Sequence, residues 1–374
     1  MGTRIVRARQ TSWLARLWRC SETEKGWDDV TQSLQRGDLV EVRSSGEILE
    51  TLDERGALEE LPFMPEMAGF CGRRFTVDSR SEKICDTIHW TGSRRLRETV
   101  LLDQGRCDGS AHGGCQAECR MFWKEAWLRR VRPDAPPAAA SVPAEVAALL
   151  ARTVPHTRHR IEPEGTAEER FRCQATDLPQ ATEQLKLADP RPYLRELTCG
   201  NVSAGRFLRV TGRALVTEPM RKLGLVPEVP LRGTRTKEIE DPLLGLQPGE
   251  LVRVKSKEQI ATTLSPAGRN RGLWFDAEML PHCGRTFRVR QRVRRFINDR
   301  DGQMIELKTD AVTLEGVVCS GDLSPRRWFC PRAILPYWRE CWLERVDPPA
   351  SASDADAPQA AAAGPAVGGG HPGA

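Results

Sequence analysis

Cys107-Asp-Gly-Ser-Ala-His112-Gly-Gly-Cys115-Gln-Ala-Glu-Cys119 packs four soft or borderline metal ligands into thirteen positions. Glycines at 109, 113 and 114 let the backbone curl so that these side chains converge. Zinc takes four Cys or His ligands tetrahedrally, and such a loop supplies three of them. Cys71, beside Gly72 at the start of a strand, is the expected fourth. Four thiolates also suit an iron–sulfur cluster, with zinc the preferred reading. No C-x-x-C occurs among the 12 cysteines.

A repeat sharpens the ligand choice. Gly37-Asp-Leu-Val-Glu-Val42 returns as Gly249-Glu-Leu-Val-Arg-Val254, an offset of 212. Cys71 and Cys107 meet Cys283 and Cys319 at that offset, and after three inserted residues Cys115 meets Cys330. Cys119 faces Ile334, so each repeat is expected to hold three equivalent thiolates and one variable ligand. That ligand is Cys119 or His112 in the first repeat and Cys341 or His282 in the second. Two other readings stand beside this one: inert buried thiols, which pack like small hydrophobes, and a redox pair. Cys20, Cys85, Cys173 and Cys199 lack repeat partners and read as plain core, with Cys173 and Cys199 as an alternative ligand pair.

Glu66 and Glu278 sit in matching Phe-x-x-Glu-Met contexts. Each serves either as a general base or metal-side partner, or as an acceptor of backbone bonds that fixes a turn. The turn role is preferred. Arg288, Arg290, Arg292 and Arg294 alternate along a strand and would form a basic face able to meet phosphates. A solvated basic strand edge is the commoner explanation. Trp123, Trp127, Trp338 and Trp342 are duplicated as core packing requires. Walker-type phosphate loops, His-Glu-x-x-His and Gly-x-Ser-x-Gly are absent.

The elements that must position these residues read as mainly β with α: two duplicated SH3-like small β-barrels joined by a partly helical middle region. Residues 1–36 form a helical lead-in and 37–131 the first barrel. Residues 132–248 are linker and middle region, 249–346 the second barrel, and 347–374 a disordered tail. Helices are expected over Ala144–Thr153, Glu168–Arg172, Leu194–Thr198 and Arg206–Val216. A net charge of +5 from 56 basic and 51 acidic residues does not mark the whole chain as a nucleic-acid binder. There is no apolar run of membrane-spanning length and no secretory signal, so the expected location is the cytoplasm. Trp13, Leu14, Leu17 and Trp18 among N-terminal arginines allow weak peripheral membrane contact.

The phrases Arg106-Cys-Asp-Gly-Ser-Ala-His-Gly-Gly-Cys115, Phe122-Trp-Lys-Glu-Ala-Trp-Leu128, Arg172-Cys-Gln-Ala-Thr176, Leu246–Ser256 and Tyr337–Val346 resemble a widespread bacterial family of no established activity. The resemblance covers about 36 to 346. It implies that the two-barrel chain is one evolutionary unit, and it transfers no catalytic residue. The resulting expectation is a metal-binding protein in a scaffold or accessory role. Its alternatives are a metalloenzyme or electron-transfer protein in a biosynthetic pathway, or phosphate and nucleic-acid binding through the second barrel.

Overall fold

The computed structural model describes residues 33–136, 141–161, 168–186, 189–227, 229–237 and 241–346. The N-terminal apolar stripe, Cys20 and the C-terminal tail lie outside them. The first half runs β1 (Leu39–Val42), α1 (Ser45–Thr51), β2 (Arg74–Arg80), β3 (Lys83–Cys85), β4 (Ser93–Arg95), β5 (Thr99–Arg106), β6 (Arg120–Lys124) and β7 (Leu128–Arg130). The middle region adds α2 (Pro143–Thr153), the hairpin β8 (Arg158–Ile161) and β9 (Glu168–Phe171), α3 (Gln174–Ala181), α4 (Arg191–Thr198) and α5 (Ala204–Lys222). The second half runs β10 (Leu251–Val254), α6 (Lys257–Ala261), β11 (Thr286–Ile297), β12 (Met304–Leu314), β13 (Trp338–Arg339) and β14 (Leu343–Arg345).

Each half builds a five-stranded antiparallel sheet, in the orders β6-β5-β2-β1-β7 and β13-β12-β11-β10-β14. Strand registers correspond: Leu39 pairs with Thr76 and Val40 with Phe75, while Leu251 pairs with Arg288 and Val252 with Phe287. Local sequence explains the helices that follow the first strands. Ser44 and Glu47 cap α1 reciprocally, and Ser256 with Gln259 does the same for α6.

The cores correspond as well. Phe63 meets Trp123 and Trp127 edge-on at 6.3 and 5.2 Å, and Phe275 meets Trp338 and Trp342 at 6.1 and 5.3 Å. The four tryptophans are fully buried, as their spacing implied. Trp127 Nε1 donates to Thr51 Oγ1 and Trp342 Nε1 to Thr263 Oγ1, so those indole N–H groups are satisfied inside the core.

Three expectations change. The chain is mixed, with helix and strand in comparable amounts rather than mainly β, because the middle region contributes four helices. Residues 168–171 form a strand, not a helix. Their alternation lets Phe171 turn inward, and its N–H donates to Gly302 O of the second half. The arginine-rich β11 is a central strand flanked by β10 and β12, not a sheet edge. Among the described residues no helix is long and apolar enough to cross a membrane.

The middle region packs on the first half around the cysteine loop. Helix α2 lies against α1 and the turn Pro65–Phe70. Gln174, at the start of α3, accepts from Phe122 N at 2.8 Å and donates to Phe122 O and Pro62 O at 2.9 and 3.0 Å. A buried amide with three such bonds locks α3 against β6.

Candidate metal centre

The Cys107–Cys119 loop leaves the end of β5 and returns into β6. Its base closes through Cys107 N donating to Cys119 O at 2.9 Å. Inside, Gly109 O accepts from His112 N and Gly114 N, both at 3.0 Å. Gly109, Gly113 and Gly114 have φ of 70°, 64° and 72°, which side chains rarely adopt. At Gly109 the need is also steric, since a Cβ would sit 2.1 Å from Cys115 O.

Glu66, on the turn Pro65–Phe70, Cys107 and His112 offer ligand atoms that all lie within 4.8 Å of one another, a group that could hold a metal ion. His112 Nδ1 meets Glu66 Oε1 at 2.6 Å, and Nε2 meets Arg172 O at 3.1 Å. Carboxylate and carbonyl oxygens only accept, so both ring nitrogens donate as the bonds stand. His112 would have to surrender one of these bonds to ligate. Burial alone would raise the Glu66 carboxyl, but the His112 bond and charge outweigh it and hold Glu66 below the usual range. Glu66 also accepts from Ala111 N at 3.0 Å. It thus pins the loop to its turn, and His112 pins the loop to the backbone that precedes Cys173.

Cys107, Cys115, Cys119 and Cys173 line one small cavity of about 50 Å³, whose other walls are mainly apolar, among them Met64, Phe122, Ile297 and Ile334. Cys173, expected as core or as a partner for Cys199, caps α3 and comes from the middle region. The signal for it was available in Arg172-Cys-Gln-Ala-Thr176, but no spacing rule joined it to a loop more than fifty residues upstream. Burial pushes the Cys119 thiol up to about 11 and the Cys173 thiol up to about 12. It pushes Cys107 up further, with the Glu66 charge adding to it. Cys71 lies elsewhere: it caps the turn Pro65–Phe70, packs on the core of the first half and is absent from the lining of this cavity. Cys199 caps α4, with its thiol 3.8 Å from Glu196 O.

The second half has a similar loop closure with other side chains around it. Cys319 N donates to Ile334 O at 2.8 Å, the counterpart of the Cys107–Cys119 bond. Glu278 accepts from Ser320 N and Oγ, Leu323 N, and Ser324 N and Oγ, so it fixes the equivalent turn. Cys330 is buried against Cys85, whose N–H donates to Cys330 Sγ at 3.1 Å. The Cys330 thiol and the nearby Arg332 and Arg327 guanidiniums hold Cys85 well below an ordinary thiol, while Cys330 itself is raised by burial. Cys283 neighbours Lys257. Cys341 neighbours Asp241, and burial pushes its thiol up to about 12. His282 packs edge-on against Phe287 and Trp338. Among the described residues, no three potential ligand atoms in this half come within 4.8 Å of one another.

The arginines of β11 are engaged. Arg290 pairs with Glu118 at 2.6 Å, and Arg292 and Arg294 share Asp310 at 2.7 and 3.0 Å. Arg288 donates to Gly249 O at 3.0 Å. No family model, curated protein or solved structure matches the chain.

Proposed function

We propose that this chain is a metal-binding protein whose centre lies at the Cys107–Cys119 loop, in an accessory or scaffolding role. One observation carries the reading: the loop, its bracing carboxylate and the start of α3 bring potential ligands together around a single buried point. Zinc and an iron–sulfur cluster are both served by such donors. Scaffolding is favoured over catalysis because four cysteines around one small cavity suffice to fill a metal's coordination, whereas a catalytic ion needs an open position. Metal binding would have to displace thiol protons that burial holds in place, which couples loading to pH.

The two halves are read as copies of one SH3-like unit. Supporting this are the common strand order and register and a set of equivalent hydrogen bonds. Glu125 accepts from Leu34 N as Glu340 does from Leu246 N, and Arg130 pairs with Asp38 as Arg345 does with Glu250. On this reading only the first copy kept a full ligand set. Elemental analysis of the purified chain tests the proposal: about one metal centre per chain is expected, lost in Cys107→Ser. A wild-type chain without bound metal defeats it.

A further inference from the structure

We infer that Cys107, Cys115, Cys119 and Cys173 are the four ligands of an iron–sulfur cluster, in a site closed by the second half of the chain. This rests on the metal-binding reading and names its ligands and cofactor.

The first support is convergence from two separate segments. Cys107 and Cys119 face each other across the closed base of the loop, Cys115 sits at its far turn, and Cys173 enters from the start of α3. The loop and the Cys173 segment are clamped together. His112 Nε2 meets Arg172 O, and a Cβ on Gly113 would lie 2.6 Å from the Phe171 ring.

The second is the treatment of the sulfurs. Gly109 N donates to Cys107 Sγ and Ile297 N, from the second half, to Cys115 Sγ, both at 3.4 Å. Backbone N–H groups of Ala175 and Thr176 at the start of α3 face Cys173. A neutral thiol is a weak acceptor, and although Cys330 also receives an N–H, here three of four sulfurs around one cavity do. N–H bonds to sulfur are among the features that tune cluster potentials.

Charge is the third. The Arg332 guanidinium is buried, bonds to Cys85 O and Thr87 Oγ1 at 3.3 and 3.0 Å, and lies between Cys85, which it helps to hold low, and the cavity that Cys119 lines. It places a positive charge beside the site, where an anionic centre is stabilised. Four thiolates around a doubly positive centre leave a net negative charge beside it.

Spacing chooses the cofactor. Ligands of one zinc ion crowd within about 4 Å of each other, as bonds near 2.3 Å require. No three of these sulfurs lie within 4.8 Å of one another, and with eleven other residues they line a cavity of about 50 Å³. That is several times the room one water-sized particle occupies. A cluster sets iron and sulfide between its thiolates and holds them farther apart than a single ion does.

The full chain, purified without oxygen, should be brown and carry iron and acid-labile sulfide in near-equal amounts. Cys173→Ser should lose most of both, while Cys199→Ser keeps wild-type content. Zinc without sulfide overturns the cluster, and full iron and sulfide in Cys173→Ser alongside loss in Cys107→Ser overturns the ligand assignment. Absence of any metal from wild type instead defeats the metal-binding reading beneath both. Should Cys173→Ser fail to fold, alkylation of the wild-type chain before and after oxidative metal removal with chelator decides the assignment. Cys107, Cys115, Cys119 and Cys173 should become reactive together, and continued protection of Cys173 alone overturns it.

Discussion

At the scale of single residues, the candidate centre depends on a few positions with no freedom to change. Gly109 combines a left-handed backbone with a Cβ position only 2.1 Å from a carbonyl oxygen. Gly109→Ala is expected to cost more than about 2 kcal/mol. Urea unfolding measures this, and wild-type stability would mean that the loop does not need this contact. Asp86 offers a pH test at the mouth of the segment after β3. Burial alone would raise its carboxyl, but bonds from Thr91 Oγ1, His89 N and Ile88 N outweigh that and hold it below its usual 3.8. A depressed carboxyl contributes stability above its unfolded value that is lost as pH falls through the folded one. Asp86→Asn should therefore cost about 1 to 2 kcal/mol at pH 7, with the gap to wild type closing below pH 3.8. An equal gap at pH 7 and in strong acid would mean the carboxylate charge is not what stabilises this turn. The role of Glu66 was legible as a choice between turn fixing and chemistry. Its bonds to Ala111 and His112 belong to the first kind.

At the scale of elements, the turn bound by Glu278 is the clearest case of one side chain organising a segment. Five donors from Ser320, Leu323 and Ser324 converge on its two oxygens. Glu278→Ala leaves those buried groups unsatisfied and should cost about 3 kcal/mol or more. A thermal midpoint unchanged from wild type would contradict that. The β11 arginines illustrate the opposite kind of reading. Their alternation was visible in sequence, yet the acids that meet them come from β12 and from the first-half loop. Arg292 also reaches Leu246 O at 3.1 Å. Arg292→Ala is accordingly expected to lower stability by about 1 kcal/mol and to leave retention on a heparin column as it was. A marked fall in retention would return the phosphate-binding reading to favour.

For the whole molecule, contacts between the halves are reciprocal. Cys85 N donates to Cys330 Sγ as Ile297 N does to Cys115 Sγ, and residues 85 and 297 stand 212 apart. Lys83 Nζ reaches Trp328 O as Arg295 reaches Gly113 O. Thr87 bonds Asp299, and Arg300 bonds Ile88 O, so the segments after β3 and β11 face each other. Each cysteine loop is thus braced by the opposite half. The described chain should unfold in a single transition, and residues 33–136 expressed alone should retain no metal. Two well-separated urea transitions, or a metal-loaded fragment, would show that the halves stand independently.

Much of this was readable without coordinates because it depends on local periodicity and on residues close in sequence. First strands at Leu39 and Leu251, buried tryptophans and reciprocally capped short helices were legible, since each follows from alternation, spacing or a capping residue a few positions away. The glycines of the 107–119 loop likewise announced a tight curl. Tertiary structure alone decided the partners. Cys71 was a reasonable fourth ligand by spacing, but the turn Pro65–Phe70 packs it on the core of the first half, while α3 delivers Cys173 to the cavity. Similarly, the helix expected at residues 168–172 became a strand because Gly302, far along the chain, offers Phe171 a backbone acceptor. Ligand convergence and charge pairing arise between segments whose separation in sequence carries no distance information, so packing had to supply it.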